Sequence, residues 1–384
     1  MMRSVVAWHI YNLSHSAFHL GLVGVVQFVP ALALSLVGGA AADSFDRRRI
    51  INVAQAIAAV AGALLFGATY SGQMTLPLLY SGVLVIACAG SFEGPARAAL
   101  LPQLVGLDRF QRAVTMSSTN QALAFVSGPA LGGILIASSG IVAAYGAFLG
   151  LIVFAFLTVL PLRLHPSADV TRRKISLAAI REGLSFVWNR PVVLGCMSLD
   201  MFAVIFGGAT ALLPIYAKDI LHVDARGYGL LTSALEIGAL TMALILMLRP
   251  PIREAGRTLL VAVACYGLAT MVFGVSRAFP LSLAAYIAAG MADQISVVLR
   301  QTMVQLSTPD ALRGRVSAVN LLFIQASNQL GAAESGFLAE ATTPTFSVVA
   351  GGFACLCVVA IVAWRVPELL AYRTQAVREP ATST

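Results

Sequence analysis

The chain has 384 residues, of which 58% are hydrophobic and only 11% charged, with a net charge of +8. Soluble domains carry roughly 25% charged residues, so a water-soluble core cannot absorb this much apolar surface, whereas a bilayer can. The alternating pattern of a membrane β-barrel is absent, and apolar runs of about 20 residues, long enough to cross a hydrocarbon core of roughly 30 Å as helices, recur almost end to end.

In chain order, the first apolar stretch, Val5 to Leu13, is too short to span. It also lacks the basic lead-in and small-residue cleavage site of a secretory signal. Full crossings are predicted over 20–42, 50–70, 76–97, 113–137, 141–162, 191–217, 227–248, 258–276, 280–300, 315–338 and 346–364. That makes eleven, preceded by one partial crossing. A 1–162 bundle and a 191–366 bundle are expected, joined by a basic linker over 163–190 and followed by a tail, 367–384. In the linker Ile180, Leu184, Val187 and Trp188 fall on one helical face, the pattern of an amphipathic helix at a membrane surface.

Charge sets the orientation. The loops around 43–49, 97–112, 163–190, 249–257 and 300–315, with the tail after Trp364, hold 21 of the 25 Lys and Arg. The opposite loops hold Lys218, Arg226 and Arg277, and Arg3 is left over. Basic loops face the cytoplasm, so the C-terminus is expected there. The basic charge is then topological and does not indicate nucleic-acid binding. An offset of 200 residues pairs Gly90 with Gly290, Glu93 with Asp293, Ser117 with Ser317, Asn120 with Asn320 and Ser127 with Ser327. This supports a parallel duplication of six helices.

Two loops carry recognisable motifs. Gly39-Ala-Ala-Ala-Asp43-Ser-Phe-Asp46-Arg47-Arg48-Arg49 places a glycine, an acid four residues on, and a basic cluster after the first full crossing. Gly39 permits close helix approach, and Asp43 sits at a helix end where it can pair with a base or a helix N-terminus. The stretch resembles the signature loop of the major facilitator superfamily, with Ser44 and Asp46 where that loop has a base and a glycine. Gly128-Pro129-Ala-Leu-Gly132-Gly133 resembles the element that marks antiporters of the superfamily. Its glycines offer a smooth packing face, and Pro129 removes one backbone bond and can bend the helix.

Intramembrane charges are costly and face water-filled paths. They are Glu93, Arg97, Asp200, Glu236, Asp293, Arg300 and Glu334. Counting the partial crossing as the first, they fall in crossings 4, 7, 8, 10 and 11, and none in 3, 6, 9 or 12. The resemblance implies that those four are peripheral and that the charged ones line or flank a central cavity. Asp200 and Glu236 lie near mid-membrane and lead the candidates for proton carriers, with Asp293 and Glu334. Glu93 and Arg97, four apart in acid-then-base order, read as a structural or gating pair. With Gly39, Asp43, Arg47 and Arg48 they make up the expected gate and latch. Asn120, Gln121, Asn320, Gln325 and Asn328 are candidate substrate contacts, or else interhelical hydrogen bonds, and Gln329 extends that polar face. His9 reads as structural.

Further motifs tie the chain to one subfamily. These are Arg300-Gln-Thr-Met-Val-Gln-Leu-Ser-Thr-Pro-Asp310-Ala-Leu-Arg-Gly-Arg315-Val-Ser-Ala-Val-Asn320, Asn328-Gln-Leu-Gly-Ala-Ala-Glu334-Ser-Gly336, and Leu213-Pro214. They resemble the subfamily that includes the enterobactin exporter and macrolide efflux proteins. The resemblance implies the major facilitator fold, an all-α membrane protein of two six-helix bundles related by pseudo-two-fold symmetry, here with a truncated first helix. It also implies a proton-coupled exporter of drug- or siderophore-like molecules in a bacterial inner membrane. Its expected partners are protons, the lipid bilayer and a small-molecule substrate, and it is expected to act as a monomer. An importer or facilitator on the same fold, or a non-transporting membrane sensor, are the alternatives. No metal-ligand spacing, P-loop or hydrolase motif is present. No enzyme activity, metal or cofactor is expected, and an ion gradient must supply the work.

Overall fold

The computed structural model describes residues 1–105, 107–161, 177–250, 252–309 and 312–373. The first half of the expected linker, 163–176, lies outside these residues, as do the tail beyond 373 and the side chain of Asp43. The described residues contain helices and no strand. The helices are α1 (Met2–Ser14), α2 (Ala17–Ser44), α3 (Arg47–Tyr70), α4 (Leu76–Val105), α5 (Leu107–Val159) and α6 (Leu177–Trp188). The second half of the chain supplies α7 (Pro191–Gly207), α8 (Ala225–Met247), α9 (Ala255–Val275), α10 (Phe279–Leu306), α11 (Arg313–Ala341), α12 (Pro344–Arg365) and α13 (Pro367–Leu370).

Local chemistry fixes many of the ends. Asp46 caps α3 by accepting from Arg48 N at 2.9 Å. Asp224 caps α8 through Arg226 N and Gly227 N, and Thr343 caps α12 through Phe346 N. Pro191, Pro280 and Pro344 stand in first turns, where a missing N–H goes unnoticed. Gly140 adopts φ 81° inside α5, a conformation that glycine tolerates and that breaks the helix in two. Without that break α5 would run roughly 80 Å at 1.5 Å per residue, far beyond one crossing. α7 ends at Gly207, and the chain continues through a 3-10 turn (Ala209–Leu212), Leu213–Ile215 and a π turn (Tyr216–Ile220). The single crossing expected over 191–217 is therefore three kinds of helical turn.

Among the described residues, nine segments are long and apolar enough to cross a membrane. The expected eleven differ from these at two places. Length and composition count both arms of α5 together, and they omit α11, whose 29 residues include Asn320, Gln325, Asn328, Gln329 and Glu334.

Helices α1 to α5 pack among themselves, as do α7 to α12, and the two sets meet where α2 lies on α11 and α5 on α8. Glycine makes both seams close. A Cβ on Gly336 would sit 2.4 Å from Gly21 Cα, and one on Gly133 would sit 2.7 Å from Gly229 Cα. Both seams lie at the end opposite the basic loops, hereafter the far end. There one buried core runs through both sets, from Val5, Ile10 and Leu65 to Leu213, Tyr228 and Phe273. At the basic-loop end the core is divided. One cluster holds Leu199, Leu259, Met303 and Val319, and a separate one holds Ala42, Ile51, Ala96 and Leu100. Among the described residues, the two sets of helices thus share one buried core at the far end and have separate ones toward the basic loops. Met116, Leu123 and Phe125 of α5 are exposed.

Of the linker's apolar face, Val187 is buried while Leu184 and Trp188 are exposed, and the side chain of Ile180 lies outside the described residues. Gly183 abuts the Arg315 backbone, and Glu182 pairs with Arg315, so α6 rests on the start of α11.

Candidate functional site

Between the two sets lies a cavity of about 400 Å³. Met2, Arg3 and Val6 of α1, Val23 and Gln27 of α2, Val83, Ile86 and Ser91 of α4, and Gln325 and Gln329 of α11 line it. Gln329 Nε2 donates to Gln27 Oε1 at 3.4 Å across the seam. The wall is apolar with a few polar groups, the usual make-up of a small-molecule site.

Above the cavity, toward the far end, polar contacts bind the two sets. Tyr11 donates its hydroxyl to Asp219, and Lys218 Nζ donates to Asn12 Oδ1 at 3.0 Å. Tyr228 donates to Ser4 O at 2.9 Å, and Ser233 donates to Val126 O at 2.9 Å. Glu340, at the end of α11, accepts from Ser16 Oγ and Phe18 N and so caps α2 from across the seam. Trp8 packs on the Tyr228 ring with centroids 4.9 Å apart. The glycine–proline motif lies in the same region. Gly133 meets Ala225 O and Gly229, while Gly128 and Gly132 meet the backbone and side chains of Met1 to Val5. One short element of α5 therefore packs against α1 and α8 together.

The second half holds a buried polar network. Arg300 Nε lies 3.2 Å from Asp200 Oδ1, with side-chain exposures of 3% and 8%. Its N–H is not directed along that line, which leaves Nε without a hydrogen bond. Arg300 Nη1 donates to Asn320 Oδ1 at 2.7 Å. Three helices, α7, α10 and α11, thus share one cation. Asp293 lies within Coulombic reach of Asp200, Arg300 and Glu236. Tyr286, hydrogen-bonded to Thr210, lies within Coulombic reach of Glu236 and Asp293. Glu334 stands apart from this group, against Ser335 Oγ at 3.4 Å.

The first half pairs its charges locally. Glu93 forms an ion pair with Arg97 and accepts from Gln55 Nε2 at 3.1 Å. Arg47 donates to Ala42 O, Arg48 to Leu160 O, and Arg49 lies 3.9 Å from Asp46. These contacts tie α2, α3 and the end of α5 together within one half. The close approach to α4 occurs at Gly38, where a Cβ would meet Ser91 O at 2.2 Å, and Gly39 is buried beside it.

The polar candidates are distributed differently from one another. Gln325 lines the cavity, and Asn320 turns to Arg300. Asn328 bonds back to Ile324 O, and Asn120 and Gln121 are exposed on α5 away from the cavity lining. His9 Nδ1 lies 3.2 Å from Tyr145 Oη in the far-end core. Sequence reasoning missed Arg3, Gln27 and the far-end partners Tyr11, Asn12, Lys218, Asp219 and Glu340. The rule that flags charges inside crossings would have found Arg3 had the first stretch been started at Met2, where α1 begins, instead of at Val5.

Comparison with known proteins gives this arrangement a family. Residues 1–381 match the transmembrane secretion effector family. The multidrug efflux pump Tap of Mycobacterium tuberculosis (strain ATCC 25618 / H37Rv) is 30% identical over 385 residues, 95% of this chain and 90% of that protein. The enterobactin exporter EntS of Citrobacter koseri is 27% identical over 379 residues, 97% of this chain and 89% of that protein. Among solved structures, a bacterial homolog of the human lysosomal transporter Spinster, described as inward-facing and occupied, superposes with TM-score 0.72 at 14% identity. It matches 96% of this chain and 91% of its own. The nucleoside transporter NupG superposes with TM-score 0.65 at 14% identity, over 96% of this chain and 94% of its own. These structural likenesses speak to the fold. The chain is a multi-pass bacterial membrane protein and belongs to the transmembrane secretion effector family of the major facilitator superfamily, whose members are transporters and not enzymes.

Proposed function

We propose that this chain exports small amphipathic molecules across the bacterial inner membrane by alternating access, acting as a monomer driven by proton entry. The basic loops and the C-terminus face the cytoplasm, so the end with the divided core is the cytoplasmic one and the far-end seams close the outside. The observation that carries this reading is the core of the described residues, continuous through both halves at the far end and divided at the basic-loop end, with a largely apolar cavity carrying a few polar groups between. A substrate enters such a cavity from the cytoplasm or the inner leaflet. Export then requires the seams to open and the basic-loop end to close.

The work comes from the second half. Proton uptake by Asp200 cancels its pairing with Arg300 and frees the guanidinium to follow Asn320 on α11, a helix that also forms one seam. Asp293 and Glu236 provide further proton sites nearby. The Tap and EntS likenesses favour export over import.

The test is accumulation of a panel of fluorescent amphiphiles in cells carrying the gene, with and without a protonophore. Lower accumulation that the protonophore abolishes is the expected result, and D200N should abolish it too. Unchanged accumulation across the panel would sink the proposal.

A further inference from the structure

We propose that the central cavity selects organic anions, small amphipathic molecules whose carboxylate, sulfonate or phenolate is held by Arg3. This names a substrate class for the cavity and so rests on the export reading.

A cation at membrane depth needs a neutralising partner. Arg300 has Asp200 and Asn320, and Arg97 has Glu93. Arg3 enters none of the ion pairs or hydrogen bonds found among the described residues, and its side chain is exposed at the cavity wall. Its neighbours on α1 do the opposite. Ser4, Val5 and Val6 are buried, and the Ser4 carbonyl is taken by Tyr228. The helix is thus fixed while the Arg3 side chain is left to the open space.

Among the described residues, the rest of the wall contains no carboxylate. Its polar side chains besides Arg3 are the amides Gln27, Gln325 and Gln329 and the hydroxyl of Ser91. A site selecting cations needs an acid facing the ligand, and none lines this cavity. Asp200, Asp293 and Glu236 belong to the network of the second half. An unpaired guanidinium with a low-dielectric wall on either side presents a forked donor suited to a two-oxygen anion. The amides can hydrogen-bond polar groups next to that anion, and Val23, Val83 and Ile86 can take an aromatic or aliphatic body. The 400 Å³ volume suits a drug-sized molecule.

The test uses three dansyl probes of matched skeleton on the purified full chain in detergent: dansylglycine (anion), dansylglycinamide (neutral) and dansylethylenediamine (cation). Kd is read from probe fluorescence. The wild type should bind the anion at least about tenfold more tightly than the amide, since a charge-assisted bond is worth more than that factor. Arg3→Gln should bring the anion down to the level of the amide and leave the amide within about twofold, while Arg3→Lys should keep part of the preference. The wild-type ranking decides the matter even if a variant fails to fold. Equal binding of the three probes, preference for the cation, binding of none of them, or an anion preference that survives Arg3→Gln would each overturn the proposal. The measurement needs no gradient. A chain that prefers the anion but exports nothing refutes the export reading alone, and one that exports without anion preference refutes this inference alone.

Discussion

Gly336→Ala should push the protein toward a state open at the far end. A Cβ at this position sits 2.4 Å from Gly21 Cα, whereas ordinary contact begins at 3.4 Å. The difference, about 1 Å, is the distance by which α2 and α11 must separate locally. Overpacking of this kind costs about 1–3 kcal/mol, and only the state with the seam closed bears it. At about 1.4 kcal/mol per tenfold, the equilibrium should move by about 5- to 150-fold. Gly21→Ala brings its Cβ no nearer than 3.0 Å and should act more weakly in the same direction. Gly150 on α5 has nothing within 4 Å, so Gly150→Ala should only gain helix stability, by about 0.5–1 kcal/mol. In a background lacking the five cysteines, spin labels at Gln73 and Thr342 report the far end, and labels at Phe45 and Leu248 report the basic-loop end. All four positions are exposed. Far-end distances should lengthen and basic-end distances shorten in the order Gly336→Ala, then Gly21→Ala, with Gly150→Ala unchanged. Identical distance distributions for Gly336→Ala and Gly150→Ala would refute the claim that the glycine seam holds this conformation.

Three other substitutions read other parts of the structure. Asp200→Ala removes the acid paired with Arg300, leaving Asn320 as its hydrogen-bond partner and Asp293 nearby, and should lower stability by up to about 3–5 kcal/mol, while Asp200→Leu with Arg300→Met should recover most of it. Thermal unfolding in detergent checks this, and a double variant as unstable as the single one would count against the pair. Tyr11→Phe removes the Asp219 contact and should weaken far-end closure by about 1–2 kcal/mol, seen with the same far-end labels. Glu340→Gln exchanges a charged cap of α2 for a neutral one, and a loss of about 0.3–1 kcal/mol should appear in the unfolding midpoint.

What the sequence showed and what it hid follow one line. Hydropathy reports transfer into lipid, so the crossings were legible, and so was the break at Gly140, where Ser138-Ser139-Gly140 interrupts an apolar run. Hydropathy is blind to pitch, so the change from α to 3-10 to π turns between Gly207 and Ile220 was read as part of one crossing, although Gly207-Gly208 and Pro214 fall within it. The Glu93–Arg97 pair was legible because a four-residue spacing fixes both side chains on one helix face. The Asp200–Arg300 pair was not, because each residue was visible as an intramembrane charge but only the packing of α7 against α10 makes them partners. Tyr11 with Asp219, and Gly21 with Gly336, are separated by most of the chain and belong to the same class. Arg3 was visible as a residue outside the loop count, and its role depended on which helices surround it.

The two halves handle buried charge in opposite ways, and this supports a division of labour. The second half surrounds Arg300 with Asp200, Asn320 and, nearby, Asp293, so a proton arriving there changes the balance among groups already in contact. The first half contributes Arg3 to the cavity with no acid beside it among the described residues, and on the proposal above a ligand's charge would satisfy it. α11 bridges the two. It carries Asn320 in the network, Gln325 and Gln329 in the cavity, and Gly336 and Glu340 in the far-end seam. Its polar residues are the ones that keep it from qualifying as a crossing by composition. On the proposed mechanism, this 29-residue helix, which touches the polar network, the cavity and the far-end seam, is the element that would carry protonation in one half to the seam above the cavity.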